Sequence, residues 1–226
     1  ATHFNKAAKL FEIANVYLPK SLPLEELPDE EQRLCIGMYG EDVDFFTLKG
    51  ALERTFGALH LDVKYVRSYR PYLHPGRSAE VLVCGNSIGF LGEIHPDVAD
   101  NYGMDARVYV AEISLDKIFD VRLLDKKKYV AFSKFPNIER DLAVVVNEDV
   151  LAGDMISAVK DAKIKHLCDA QVFDTYKSDQ IGKGKKSVAM SFSFASLERT
   201  LTDDEIATEM ARILNTLKRK VGAKIR

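Results

Sequence analysis

Three observations predict an α+β protein of two domains. The run Ser187 to Phe194 alternates large apolar residues with small ones, the pattern of a strand with one buried face. Around it, from 132 to 226, segments of strand and helix period follow one another in the order βαββαβ. Ahead of them, several short strand-like runs precede a charged break, Asp125-Lys126-Lys127-Lys128. The boundary is placed between Arg122 and Val130, with domains at 1–125 and 132–226.

In the first domain, Lys9 to Leu18, Arg33 to Tyr39, Val63 to Arg67, Ala79 to Cys84, Ser87 to Glu93 and Arg107 to Ile113 read as strands of a mostly antiparallel sheet. Gly85-Asn86 reads as the tight hairpin between the fourth and fifth. Asp44 to Phe56 is an amphipathic helix with Phe45, Leu48, Leu52 and Phe56 aligned. A short helix follows Pro96, a residue suited to the first helical turn.

In the second domain, Arg140 to Val146 is a β-branched, buried strand, and Val150 to Ala162 a helix with Met155, Ile156 and Val159 on one side. Ala170 to Tyr176 is the next strand. The Gly182-Lys183-Gly184-Lys185-Lys186 loop turns the chain into the serine-rich one. There Val188, Met190, Phe192 and Phe194 face a core, while Ser187, Ala189, Ser191 and Ser193 face outward as a shallow floor. Thr202 and Glu205 form a capping box ahead of a helix carrying Ile206, Met210, Ile213, Leu214, Leu217 and Val221. Gly222 ends it, and Ala223 to Arg226 is a last short strand. This order is the ferredoxin-like split βαβ, with both helices on one sheet face and the other face open.

Composition narrows the function classes. The 226 residues hold 46% hydrophobic and 29% charged side chains, ordinary for a globular protein. No apolar run nears the roughly 18 residues of a membrane span, and no signal-peptide pattern is present. Cys35, Cys84 and Cys168 are an odd number at wide spacing, read as reduced, buried thiols of a cytoplasmic protein. The opening Ala-Thr-His-Phe-Asn-Lys lacks a Met and reads as the interior of a longer chain. Net charge is −2, divided as 16 Lys and Arg against 20 Asp and Glu before residue 132 and 16 against 14 after it. That excess is too small for a non-specific nucleic-acid binder, although Lys183, Lys185 and Lys186 cluster, as do Lys218, Arg219, Lys220, Lys224 and Arg226. Taken alone, these clusters are solvated loop and helix-end charge.

Residues 132–146, FSKFPNIERDLAVVV, resemble the start of the ferredoxin-fold anticodon-binding domain that ends the β subunit of bacterial phenylalanyl-tRNA synthetases. Phe173-Asp174-Thr175-Tyr176-Lys177-Ser178 and Arg199-Thr200-Leu201-Thr202 match further along. Leu73-His74-Pro75-Gly76-Arg77-Ser78-Ala79 and Gly89-Phe90-Leu91-Gly92-Glu93-Ile94-His95-Pro96 resemble the preceding domain of that subunit. The resemblance covers nearly all of the chain. It implies a class II synthetase-like antiparallel sheet domain that has lost its chemistry, followed by the anticodon-binding domain. It further implies assembly with the catalytic α subunit in a heterotetramer of two α and two β chains. ATP and Mg²⁺ serve that holoenzyme, whose β-chain magnesium ligands lie upstream of residue 1. No cofactor is expected in this stretch.

The residues agree with lost catalysis. Glu198-Arg199 has the final dipeptide of a class II arginine motif, but Ala195-Ser196-Leu197 stands in place of glycines, in the wrong domain. Gly182 to Ser187 does not fit GxxxxGK[ST] and joins two strands. His74 and His95 each precede proline and follow no zinc spacing. With Arg77, they are assigned to the surface that meets the α subunit.

Recognition remains. Asp174 and Tyr176 share a strand face, opposite Phe173 and Thr175, with Phe173 in the core. A regular hairpin sets them beside Ser187 and Ser191 on the open face. A carboxylate accepts both the N1 and N2 protons of guanine, a tyrosine ring stacks on an unpaired base, and a serine hydroxyl serves either edge. The resemblance implies that Asp174, Tyr176 and Ser187 contact the guanine that begins the phenylalanine anticodon of tRNA(Phe). Lys183, Lys185, Lys186 and Arg226 complete the RNA-binding set. Two other functions compete: a stand-alone RNA-binding or regulatory paralogue of the two domains, and a small enzyme using an apolar cleft of the first.

Overall fold

The computed structural model describes residues 5–122, 131 and 133–226, and the chain divides into two compact units, 1–127 and 128–226. The charged break at Asp125 to Lys128 lies outside the described residues, as does Phe132.

The first unit runs β1 (Ala8–Leu18), β2 (Asp29–Tyr39), α1 (Phe45–Ala58), β3 (Val63–Arg67), β4 (Leu73–Val83), β5 (Asn86–Ile94), α2 (Pro96–Asn101), β6 (Val108–Ser114) and α3 (Leu115–Arg122). Its six strands pair antiparallel in the order β1-β2-β6-β5-β4-β3. One sheet face is apolar because every second residue is: Ala79, Val81 and Val83 on β4 and Tyr109, Ala111 and Ile113 on β6 are all buried. Against it lies α1, capped by the Asp44 carboxylate, which accepts from the Thr47 N–H at 2.6 Å. Leu48, Leu52 and Phe56, one helical turn apart, are at most 1% exposed. Gly89 lets β5 approach β6 closely, since a Cβ there would stand 2.0 Å from the Glu112 carbonyl oxygen.

Three sequence expectations change here. The hairpin turn is Cys84-Gly85, both at positive φ (49° and 83°), with Asn86 already paired to Val83. That left-handed pair matches the twist of the strands it joins. The helix α3 was not anticipated; it is only eight residues long, and it buries Ile118 and Val121 in the same core. The three thiols are free but exposed. Cys84 lies in the turn, Cys168 falls at a register shift, and Cys35 stands off the helix-packed face.

The second unit runs β7 (Ile138–Asn147), α4 (Ala152–Asp161), β8 (Leu167–Tyr176), β9 (Lys185–Phe194), α5 (Asp203–Val221) and β10 (Lys224–Ile225). Its strands pair antiparallel in the order β10-β7-β9-β8, the ferredoxin-like arrangement. Val188, Met190, Phe192 and Phe194 of β9 pack with Met155 and Val159 of α4 and Ile206, Ile213 and Leu217 of α5 in one core. Both helices therefore cover the same face. Thr202 and Glu205 cap α5 reciprocally, and Gly222 ends it at φ 66°. Arg199 grips the capping carboxylate with both terminal nitrogens, at 2.9 and 2.7 Å, and holds the Glu205 carboxyl down to about 2.

Candidate nucleic-acid interface

The face of the second sheet away from the helices is built in rows across the strands. One row is Lys224, Val145, Ser187 and Tyr176; the next is Ala143, Ala189 and Asp174. Beyond them lie Asp141, Ser191 and Gln171, then Glu139, Ser193 and Asp169. The floor is small because from Ser187 to Ser193 β9 contributes only Ser and Ala to this side, and β7 contributes Ala143 and Val145 to its centre. Side chains on the outer strands stand up around it.

The structure brings most of the expected residues together and shifts their register. Tyr176 sits directly opposite Ser187, half exposed at 49%. Asp174 sits opposite Ala189 and is exposed; Ser191 faces Gln171. The shift comes from an irregularity in β8, where pairing steps from Val172 to Asp174 and leaves Phe173 without a partner. Phe173, expected in the core, is 60% exposed beside Asp174. A period-two reading could not reveal this extra aromatic surface, because one bulged residue changes the face of all that precede it. Ser187 faces the expected way but is only 3% exposed. Arg226, whose backbone N–H donates to the Ala143 carbonyl, reaches across to bring its guanidinium 5.7 Å from the centre of the Tyr176 ring. This cation–π contact spans the central strands, and Ser187 lies in the row it roofs.

The lysines separate. Lys183 is exposed in the β8–β9 loop, and Lys185 is exposed opposite Asn147 on the open face. Lys186 pairs with Val146, the register of the buried side. It also adds to the pull on Glu148, whose carboxyl is held below its ordinary range chiefly by its ion pair with Lys177.

The expected interface residues of the first unit have local duties. The His74 Nδ1 accepts from the Gly76 N–H at 3.0 Å, and His95 caps α2 by accepting from the Asp97 N–H at 3.3 Å. Arg77 holds Glu93 with two nitrogens, one of them 2.7 Å from a carboxylate oxygen. Glu93 is 2% exposed, and the hydrogen bonds from Arg77 keep its carboxyl below the ordinary range against the opposing effect of burial. Among the described residues, no group of three or more His, Cys, Asp and Glu is placed to hold a metal ion. No helix among them is long and apolar enough to cross a membrane.

The second unit is thus a ferredoxin-type sandwich with one open, polar and aromatic face, and the first an antiparallel sheet domain. Residues 133–226 match the family model described as the ferredoxin-fold anticodon binding domain, and residues 1–115 match the phenylalanyl tRNA synthetase beta chain CLM domain. The phenylalanine–tRNA ligase beta subunit of Clostridium tetani is 44% identical over 224 residues, covering 98% of this chain and 28% of that protein. That of Clostridium acetobutylicum is 39% identical over 227 residues, covering 100% and 28%. That of Streptococcus thermophilus is 35% identical over 234 residues, covering 98% and 29%. The chain belongs to the phenylalanyl-tRNA synthetase β-chain family, of which it carries the CLM and anticodon-binding domains. It spans less than a third of the length of these relatives.

Proposed function

We propose that this chain holds the anticodon of tRNA(Phe) on the open face of its second unit and supports assembly with the catalytic α subunit through its first. Phenylalanylation with ATP and Mg²⁺ is then the work of a cytoplasmic heterotetramer. The observation that carries this reading is the convergence of Tyr176, Asp174, Ser187 and Arg226 within the matched anticodon-binding domain. The Tyr176 ring offers a stacking platform for an unpaired base. Asp174, one row away, accepts the N1 and N2 protons that guanine presents together. The Ser187 hydroxyl becomes available when a base displaces Arg226 from the ring. Lys183 and Lys185 supply cations for phosphate at the loop end. In the first unit, His74, Arg77 and His95 remain the proposed contact with the α subunit, and co-expression should give a stable complex.

The test is binding of a tRNA(Phe) anticodon stem-loop to the heterotetramer, with guanine or adenine at the first anticodon position. Asp174→Ala should cost about 1–3 kcal/mol for guanine and far less for adenine, because it removes a two-proton acceptor. A guanine preference that survives this substitution refutes the assignment. The chain alone should support no phenylalanine-dependent pyrophosphate exchange, since Glu198-Arg199 lacks the preceding glycines of a class II arginine motif and stands in the second unit.

A further inference from the structure

The open face is electrostatically lopsided. At one end stand Lys185, Lys224 and Arg226 around Tyr176; at the other stand Glu139, Asp141 and Asp169 around Ser191 and Ser193. Those three carboxylates are exposed, and among the described residues none has an ion pair. Asp169 accepts from the Gln171 side-chain amide at 2.6 Å, a neutral partner. The adjacent cation, Arg140, is committed elsewhere. It pairs with Phe192 in the register of the buried side, and its guanidinium donates to Asp203 at 2.8 Å and to the Glu139 carbonyl at 2.9 Å.

We infer that Glu139, Asp141 and Asp169 form a repulsive rim that confines bound RNA to the Tyr176–Arg226 end and so limits its footprint on this sheet. The inference rests on the reading that the face binds RNA. Successive rows lie about 6.6 Å apart along a strand, so the rim begins about 13 Å from the Tyr176 row. The screening length at physiological salt is about 8 Å. The carboxylates therefore act on phosphates laid over Ser191 and Ser193 while leaving a base at Tyr176 nearly untouched. A floor of Ser and Ala would otherwise admit a strand along its whole length. The rim turns a general groove into a short reader, excluding the wrong binding mode by unfavourable charge.

The test compares the 226-residue chain with its Glu139→Gln/Asp141→Asn/Asp169→Asn variant, whose side chains keep their shape and one acceptor oxygen each. Binding of uridine oligonucleotides of about 3 and about 12 residues is measured at about 50 and 200 mM salt. The wild type should bind the two lengths alike. The variant should gain about tenfold for the long one, with a steeper salt dependence, and under about twofold for the short one, because only the long strand adds phosphate contacts. Equal gains on both lengths, or no gain on the long strand by a variant with unchanged thermal unfolding, overturn the inference. Failure of the anticodon reading shows separately, as a guanine preference that survives Asp174→Ala in the stem-loop assay.

Discussion

The two sheets handle charge in opposite ways. In the first unit, arginines are matched to carboxylates: Arg33 to Glu31 and Glu112, Arg70 to Glu80, and Arg77 to Glu93. The Arg70 guanidinium also lies over the Phe90 ring, 4.1 Å from its centre. On the open face of the second unit, no ion pair among the described residues involves Asp174, Lys185 or Lys224. Paired charge makes a scaffold, because each partner already satisfies the other; unpaired charge leaves a surface able to exchange water for a ligand. The paired arginines thus reside in the first unit, and the open chemistry resides in the second.

The contrast breaks most visibly at Arg77. Arg77→Ala removes the ion pair of the buried Glu93 carboxylate, leaving it the Tyr109 hydroxyl, and should destabilise the first unit by about 3 kcal/mol. Thermal unfolding should show this loss with the second unit's transition unmoved. A drop in α-subunit binding without loss of stability would instead make Arg77 a surface contact. Next in size, Tyr176→Ala should weaken guanine and adenine stem-loops equally, by about 1–3 kcal/mol, since stacking ignores base identity. Phe173→Ala should cost a similar amount only if its exposed ring takes part in stacking. Lys185→Ala should reduce affinity modestly and lower the salt slope by about one, the mark of a lost phosphate contact.

The smallest effect concerns acid. Glu205 is depressed to about 2, first by Arg199 and then by the Thr202 backbone. Unfolded glutamate titrates near 4.3. The stabilisation is therefore complete above that pH and is lost as pH falls toward 2, where the folded carboxyl takes up its proton. Glu205→Gln should flatten the acid limb of the second unit's stability curve between those values. An unchanged limb would mean that the Arg199–Glu205 pair is not formed in solution.

Periodicity and caps made most of the second unit legible. The apolar residues of β9, the Thr202–Glu205 box and the Gly222 stop are local codes, each fixed by residues within a turn or a strand of one another. The Asp174–Tyr176 pair was legible for the same reason. What the sequence determined by itself was therefore the order of elements in the second unit, the buried face of β9, and the residue types available on the face left over. Only the tertiary structure decided the rest. The bulge at Phe173 depends on how β8 pairs with β9, and the roof over Ser187 depends on Arg226 crossing from the opposite edge of the sheet. The Arg77–Glu93 pair joins residues 16 apart in sequence through strand pairing. Register, roofing and charge matching are relations between strands, and a period read along one strand carries no information about its neighbour.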